Sequence, residues 1–275
     1  MSNPPPDTNV SRPHAARMYD YFLGGKTNYT SDQQAAEQAA ALWPSMPITA
    51  RANRAYMHRA VHELGLAGFR QFLDIGTGIP TRPNLHDVVQ NVAPEARVLY
   101  TDNDPIVLTH ARALMQGTPE GRTGYIEADV TDPDSILTAP ELAETLDLTQ
   151  PVAVSLHAVC HFLPHSLDPH GIVAKIMAAL PAGSALSLSH GTADLAPERM
   201  AKLEATYNSS GVTVQSRSKA EITRFFDGLE LWDPGVVLAH HWRPDVQVLP
   251  GGDAPADEEY ADVDVSVYAG VGIKS

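Results

Sequence analysis

Short apolar runs alternate with amphipathic segments through the middle of the chain. Five runs bounded by glycine, proline or aspartate have the length of β-strands, at 69–75, 97–101, 124–128, 151–156 and 184–189. Helical periodicity is found between them, at 85–92, 105–115 and 172–180. Strands that alternate with helices at this spacing predict a doubly wound α/β fold, with a mostly parallel sheet covered on both faces.

The pattern differs before and after this region. Two helices are predicted in the amino-terminal part, at 33–42 and 49–64. Ser31 or Asp32 would cap the first helix, Pro44 and Pro47 would stop it, and Gly65 would end the second.

Residues 1–9 are rich in proline and asparagine and predict a flexible tail that is no secretory signal. Near the carboxyl end, a helix at 220–226 precedes two apolar stretches at 238–242 and 263–273. These stretches predict an antiparallel strand pair joined by an acidic loop at 243–262.

A glycine-containing turn follows the first predicted strand, where 74–78 reads Asp-Ile-Gly-Thr-Gly. Gly76 and Gly78 permit unusual backbone dihedrals and a close approach to a ligand. In doubly wound sheets, ligands bind outside the carboxyl ends of the strands. A glycine pair also occurs in ordinary strand-to-helix turns, so it needs support from other residues.

Two further carboxylates follow the next two strands. Asp102 is placed to accept hydrogen bonds from both hydroxyls of a ribose, and Asp129 to accept one from the exocyclic amine of an adenine. Either aspartate alone is more often a turn residue or a helix cap. Suitable residues at three consecutive strand ends together favour a nucleoside-containing ligand.

The residues around the turn distinguish between two such ligands. A dinucleotide fingerprint would carry a third glycine near position 81, where this chain has Thr81. Asp74 also directs a negative charge at the site, which disfavours a pyrophosphate and suits a ligand with an ammonium and a sulfonium group. The sequence therefore favours S-adenosylmethionine as cofactor over NAD.

Several stretches of the sequence resemble motifs of a known protein family. The run 74–78, with Thr-Asp-Asn-Asp at 101–104 and Glu-Ala-Asp-Val at 127–130, resembles the first three motifs of class I S-adenosylmethionine-dependent methyltransferases. The stretches 16–26, 74–81 and 268–272 more narrowly resemble a bacterial family of S-adenosyl methyltransferases whose substrate is unknown. The resemblance implies a Rossmann-like sheet of seven strands whose last strand inserts antiparallel. It also implies an amino-terminal tail and helical lid over 1–66 and a cofactor-binding methyltransferase domain over 67–275.

The resemblance also implies roles for individual residues. Asp74, Gly76 and Gly78 would hold the methionine end, Asp102 the ribose and Asp129 the adenine, with Asn103 beside the adenine ring. Tyr19, Asp20 and Lys26 would belong to the lid. The full set of cofactor-binding residues expected is Tyr19, Asp74, Gly76, Thr77, Gly78, Asp102, Asn103, Asp129 and Val130. Many class I enzymes have glycine or serine where this chain has Pro80 and Thr81, which leaves the start of the following helix open.

Two histidines follow the fourth predicted strand, where acceptor-binding groups are expected. Methyl transfer depends mainly on aligning and desolvating the nucleophile, and a general base helps when a hydroxyl or amine must lose a proton. His157 and His161 are the catalytic candidates, since the unperturbed pKa of histidine lies near neutrality. Structural histidines hydrogen-bonded at a strand end are the alternative.

A metal site is not expected at this histidine-rich stretch. His157, His161, His165 and His170 are close in sequence, but Pro164 interrupts a helix between them and no standard ligand spacing is completed. His240 and His241 lie on a predicted strand and are expected to flank the sheet.

Composition narrows the function classes. A net charge of −14 and a pI near 5.2 disfavour binding to nucleic acid or anionic lipid. The single cysteine, Cys160, and the absence of a span-length apolar segment fit a cytoplasmic protein. Motifs of phosphate loops and serine hydrolases are absent from the sequence.

We therefore expect a methyltransferase acting on a small-molecule substrate, with no nucleic-acid or membrane partner and with its oligomeric state open. The alternatives are a non-catalytic sensor of S-adenosylmethionine or S-adenosylhomocysteine, and an NAD-dependent oxidoreductase.

Overall fold

Alternate residues of the central strands point to two different hydrophobic cores. In the computed structural model, which describes residues 10–248 and 260–275, Phe72 and Val98 face one core while Leu73 and Leu99 face the other. This period of two, with apolar residues at both phases, is typical of strands that are buried on both faces. The described residues form eight strands and eleven α-helices.

The strands are β1 (Gln71–Ile75), β2 (Arg97–Asp102), β3 (Arg122–Glu127), β4 (Ala153–His157), β5 (Ala185–Gly191), β6 (Leu229–Leu231), β7 (Val237–Leu238) and β8 (Val267–Lys274). The helices are α1 (Ala15–Phe22), α2 (Thr30–Leu42), α3 (Met46–Leu66), α4 (Leu85–Val92), α5 (Pro105–Leu114), α6 (Pro133–Leu137), α7 (Pro140–Thr145), α8 (Pro169–Ala178), α9 (Pro197–Ser210), α10 (Lys219–Thr223) and α11 (Asp262–Val265).

The strands form one mixed sheet in the order β3-β2-β1-β4-β5-β8-β6, and β7 also pairs with β8. Strands β1 to β5 are parallel, and β8 runs antiparallel between β5 and β6. The doubly wound fold and the antiparallel insertion of the last strand are thus confirmed, with eight strands where seven were expected. The order reverses between β1 and β4, which creates a crevice at their carboxyl ends.

The predicted strand at 238–242 is wrong beyond Leu238. Residues 239–241 form a short 3-10 turn instead, because Arg59 of α3 donates hydrogen bonds to the carbonyl oxygens of Ala239 at 2.7 Å and Trp242 at 2.9 Å. The second predicted stretch also begins as a helix, α11, before β8 starts at Val267. The tail at 1–9 and most of the acidic loop at 243–262 lie outside the described residues.

Two residues that were predicted to end helices have other roles in the structure. Pro47 lies in the first turn of α3 and starts that helix, a position where a proline loses no hydrogen bond. Gly65 lies inside α3, where an added Cβ would come within 2.8 Å of Val92 of α4, so the glycine allows these helices to pack closely. The predicted caps of α2 are also wrong: the helix begins after Tyr29, whose backbone N–H donates to the Asp32 carboxylate at 2.8 Å.

Three layers of helices pack around the sheet. Helices α3 and α4 cover one face, and α8 with the segment 222–226 covers the other. A third apolar cluster joins α1 and α2 to α9, and includes Met18, Trp43 and Leu203. The domain boundary near residue 66 stays a prediction, although α3 packs on the sheet while α1 and α2 lie in the third layer. No helix of the described ranges is long and apolar enough to cross a bilayer.

Candidate functional site

A cavity of about 460 Å³ lies at the carboxyl ends of the parallel strands, where the strand order reverses. Its walls come from the turns after β1, β2, β3 and β4, and from α1, α3 and α9. The cofactor-binding and catalytic candidates all line it, namely Tyr19, Asp74, Gly76, Thr77, Gly78, Asp102, Asn103, Asp129, Val130, His157 and His161. The structure therefore brings these candidates together in one place.

The turn after β1 needs glycine at position 76. Its φ is +72°, and an added Cβ would lie 2.4 Å from a methyl group of Val159. The amides of Gly76 and Thr77 both donate to the carbonyl oxygen of Thr101, at 2.8 and 3.2 Å, which fixes the turn against the end of β2. Gly78 also has a positive φ, but its missing Cβ would face open space.

Asp102 organises the next turn from the end of β2. One carboxylate oxygen accepts from the amide of Gly78 and the other from the amide of Asp104, both at 2.9 Å. Burial raises the pKa of Asp102, whereas these two hydrogen bonds lower it. Each carboxylate oxygen can accept a second hydrogen bond, so Asp102 retains capacity for a ligand.

Asp129 and Asn103 meet across the ends of β2 and β3. The Asn103 amide donates to one Asp129 oxygen at 2.8 Å, and the backbone amide of Thr131 donates to the other at the same distance. Burial acts to raise the pKa of Asp129, but these hydrogen bonds outweigh it and hold the pKa below its usual range. Asp129 is therefore a charged acceptor at neutral pH.

Asp74 is the carboxylate whose charge costs most. Burial raises the pKa of Asp74 to about 7, against the opposing effect of the nearby Arg54 guanidinium. Arg54 lines the same cavity and is fixed by hydrogen bonds to the carbonyl oxygens of Thr81 and Pro83, the latter at 2.6 Å. This end of the cavity offers both a buried acid and a buried cation.

Arg54 and its neighbour Asn53 are functional candidates that the sequence analysis missed. Both lie on the face of α3 that lines the cavity, together with Ala50 and Met57. Two polar residues on an otherwise apolar helical face were the available signal. The carbonyl oxygens that hold Arg54 come from the segment before α4, so its orientation depends on tertiary contacts.

The hydrogen bonds of His157 define its tautomer. The Tyr56 hydroxyl donates to the carbonyl oxygen of Gly270 at 2.6 Å, the Ser187 hydroxyl lies 3.0 Å from the Tyr56 oxygen, and Nε2 of His157 lies 2.9 Å from the Ser187 oxygen. Because the Tyr56 hydroxyl donates its proton to Gly270, the Ser187 hydroxyl must be the donor to the Tyr56 oxygen. His157 must then donate to the Ser187 oxygen. Nδ1 of His157 is then an unprotonated acceptor.

The expected near-neutral pKa of the two histidines is wrong. Burial, reinforced by Arg54, lowers the pKa of His157 to about 3, and burial with Arg217 lowers that of His161 to about 4. Nδ1 of His161 accepts from the amide of Gly191 at 3.3 Å, so its Nε2 carries the proton. The two neutral rings thus have different functions available, His157 as an acceptor and His161 as a donor.

Tyr19 connects α1 to the rest of the site. Its hydroxyl donates to the carbonyl oxygen of Ala50 and accepts from the Asn53 amide, both at 2.9 Å, and the oxygen of Asn53 accepts from Ser189 at 2.5 Å. The position of Tyr19 is therefore tied to both α3 and β5.

The other two lid candidates lie elsewhere. Asp20 is buried, accepts from the amide of Thr27 and the side chain of Asn28 at 2.8 Å, and so shapes the turn after α1. Lys26 is exposed. Neither Asp20 nor Lys26 lines the cavity.

The histidines near β4 do not converge on a common point. His165 lies 3.6 Å from a Glu221 carboxylate oxygen, while His170 bonds the backbone oxygen of Glu221 and stacks on Phe225. His240 and His241 do approach one another, because both place Nε2 within 3.1 Å of one Asp262 oxygen at the surface. None of these four histidine side chains lines the cavity.

Comparison with known proteins identifies the family to which the chain is similar. A family model described as S-adenosyl methyltransferase matches residues 1–275. A DUF574 family protein from Streptomyces avermitilis is 47% identical and has a TM-score of 0.91, with 98% of this chain and 100% of that chain covered. A proposed methyltransferase from Thermobifida fusca is 36% identical, with a TM-score of 0.87 and complete coverage of both chains. No curated protein matches the chain.

A more distant structure shares the fold. An O-methyltransferase family protein from Burkholderia thailandensis is 15% identical to this chain, with a TM-score of 0.51, and the match covers 97% of this chain and 65% of that one.

Proposed function

The chain belongs to the S-adenosyl methyltransferase family, and on that basis we propose that it methylates a small-molecule acceptor. The observation that carries the proposal is the convergence of Asp74, Asp102 and Asp129, from the ends of three neighbouring strands, on one cavity. S-adenosylmethionine supplies an activated methyl group on a positively charged sulfur.

The residues present fit this cofactor. Asp74 would bind the ammonium group, whose positive charge favours the ionised form of this buried acid, and Arg54 would bind the carboxylate. Asp102 would accept from the ribose hydroxyls with its remaining lone pairs, and Asp129 from the adenine amine. Asn103 would lie beside the adenine ring, its orientation fixed by Asp129.

The two histidines suit the alignment of an acceptor. Nδ1 of His157 would accept a hydrogen bond from a hydroxyl or amine and so turn its lone pair toward the methyl group. Because the pKa of His157 is about 3, this ring orients the acceptor and does not retain its proton at neutral pH. The Nε2 donor of His161 would bind a second acceptor oxygen.

The cavity volume and the net charge of the chain support a small molecule over a polymer. The cavity lies between the helical layers and has a volume within the roughly 300–1,000 Å³ that is usual for small-molecule sites. The net charge of −14 opposes nucleic-acid phosphates. Among the described residues, no observation favours the sensor or the oxidoreductase alternatives.

We propose a cytoplasmic location on one structural ground. Cys160, the single cysteine of the sequence, is buried and unpaired, which suits a reducing compartment.

Two measurements test the proposal. Calorimetric titration should show binding of S-adenosylmethionine and S-adenosylhomocysteine but not NAD. Incubation with methyl-labelled cofactor and bacterial cell extract should then place the label in the small-molecule filtrate. Label confined to the protein or nucleic-acid fraction would refute a small-molecule acceptor.

A further inference from the structure

The cavity has two chemically different parts. Its described charged residues all lie at the end formed by α1, α3 and the turns after β1, β2 and β3. A second part is formed by the lining residues between Phe162 and Ser216, which we call the apolar wall. Met200, Leu203 and Tyr207 contribute to it from one face of α9, and Val212 follows in the next segment.

Most apolar residues of the wall belong to the third hydrophobic cluster, although Leu163 belongs to the second. Phe162, Leu203 and Tyr207 pack in the third cluster with Trp43 from the end of α2. This cluster is separate from the two cores on the faces of the sheet. The apolar wall therefore has its own supporting layer, and that layer also forms part of the cavity.

No lysine, arginine, aspartate or glutamate belongs to the apolar wall. Arg217, next in sequence, does not line the cavity, and its guanidinium donates to the carbonyl oxygens of Cys160 and Leu163 at 2.9 and 2.7 Å. An unpaired charge moved from water into such surroundings carries a large desolvation cost. A charged acceptor would find no counter-ion along this wall.

One polar group on the wall is without a partner. Tyr207 is only 7% exposed, and no described residue forms a hydrogen bond with its hydroxyl. The hydroxyls of the two other buried tyrosines of the described residues, Tyr56 and Tyr100, both have partners. The Tyr207 hydroxyl, on a residue that lines the cavity, is therefore available to donate a hydrogen bond to a ligand there.

We propose that the acceptor is a neutral, largely apolar molecule that packs on the apolar wall and accepts a hydrogen bond from the Tyr207 hydroxyl. This inference rests on the proposed function, because it places the acceptor beyond the cofactor end of the same cavity. Burial raises the pKa of Tyr207, so the phenol remains a neutral donor throughout the physiological range.

The test uses three ligands with the same ring system and different charge. Protein saturated with S-adenosylhomocysteine is titrated with 1-naphthol, 1-naphthoate and 1-naphthylmethylamine at pH 7.5, where these are neutral, anionic and cationic. We expect 1-naphthol to bind at least about tenfold more tightly than either charged ligand, because only charged ligands incur the desolvation cost.

A matched pair of variants tests the hydrogen bond. Tyr207→Phe should weaken 1-naphthol binding about fivefold, the effect of one neutral hydrogen bond. Tyr21→Phe makes the same chemical change at a residue outside the cavity and should leave 1-naphthol binding unchanged. Both variants should keep the wild-type unfolding temperature and affinity for S-adenosylhomocysteine, since neither removes a buried hydrogen bond.

Three results would overturn the inference while leaving the proposed function intact: a charged naphthalene that binds as tightly as 1-naphthol, 1-naphthol that competes with S-adenosylhomocysteine, or equal behaviour of the two tyrosine variants. Failure of S-adenosylhomocysteine itself to bind would instead refute the proposed function, and the inference with it.

Discussion

The hydrogen-bond network determines which ring nitrogen of His157 carries the proton. We predict that Nε2 carries the proton and that Nδ1 stays unprotonated down to about pH 4, because the pKa is lowered to about 3. Long-range ¹⁵N–¹H correlation spectra of histidine-labelled protein distinguish the two nitrogens. A proton on Nδ1, or a titration near pH 6.5, would contradict the assignment.

The raised pKa of Asp74 predicts a cost in stability at neutral pH. Below pH 4 this carboxyl is protonated in both the folded and unfolded states. Between pH 4 and 7 only the unfolded chain releases the proton, so the folded state loses stability as the pH rises toward the folded pKa of about 7.

Asp74→Asn removes this titration and should therefore melt higher than the wild type at pH 8. Its advantage should shrink steadily toward pH 4.5. Thermal unfolding of both ligand-free proteins at several pH values measures the difference, and a difference that does not change with pH would show that Asp74 ionises normally.

Asp102 should contribute strongly to cofactor affinity. Asp102→Ala removes charge-assisted hydrogen bonds to the ribose and should weaken S-adenosylhomocysteine binding by about 2 kcal/mol, roughly 30-fold. Calorimetry provides the measurement. Asp134→Ala, which removes an exposed carboxylate paired with Lys175, is the control and should bind normally. Equal affinities of the two variants would mean that the ribose lies elsewhere.

The carboxylates at the strand ends could be predicted from the sequence, whereas Arg54 and Tyr207 could not. Asp74, Asp102 and Asp129 follow apolar runs, and the carboxyl ends of parallel strands meet at one edge of a sheet, so local pattern and topology suffice. Arg54 and Tyr207 lie on helices, where the direction of a side chain depends on which layer the helix joins. The pKa of His157 likewise depends on burial, which its sequence neighbours do not reveal.

At the scale of elements, one buried carboxylate holds the first two helices together. Asp32 of α2 is fully buried and accepts from the Arg17 guanidinium at 3.2 Å, the amide of His14 at 2.9 Å and that of Tyr29 at 2.8 Å. Arg17 also lies 3.8 Å from Asp104 at the start of α5. This network attaches α1 to both α2 and the sheet layer.

Asp32→Ala should weaken the attachment of α1 to α2 and to the sheet layer. Breaking a buried ion pair from one side costs up to about 3–5 kcal/mol, and here Arg17 would keep only the more distant Asp104 carboxylate as a counter-ion. We expect hydrogen exchange in α1 to accelerate while β1 and β4 keep their protection. Equal acceleration in the strands would show that α1 and the sheet unfold as one unit.

Elements differ in how far the sequence determines them. Four of the five parallel strands are mostly buried, apolar and bounded by turn residues, whereas only Ile126 is buried in the edge strand β3. All five positions were predicted within a few residues. Strands β6 and β7 have three and two residues and exist because β8 offers them an edge, a contact that no local pattern encodes. Helix α9 was not predicted, since only three of its fourteen residues are buried.

The cavity is lined by several layers of the fold, and this determines how the whole molecule responds to a ligand. Its lining includes Phe22 of α1, Met57 of α3, Gly78 after β1 and Leu203 of α9. A ligand held between these elements binds only the folded arrangement. Binding therefore raises the free energy of unfolding by an amount set by the ratio of the ligand concentration to its dissociation constant.

S-adenosylhomocysteine at 100 times its dissociation constant should thus stabilise the folded state by about 2.7 kcal/mol, which raises the unfolding temperature by roughly 5–10 °C for a chain of this size. NAD at the same concentration should have no effect, because a pyrophosphate would meet the three carboxylates. Differential scanning calorimetry measures both shifts. Hydrogen exchange should at the same time slow in α1 and in the turns after β1 and β2, and protection confined to the turns would show that α1 takes no part in holding the cofactor.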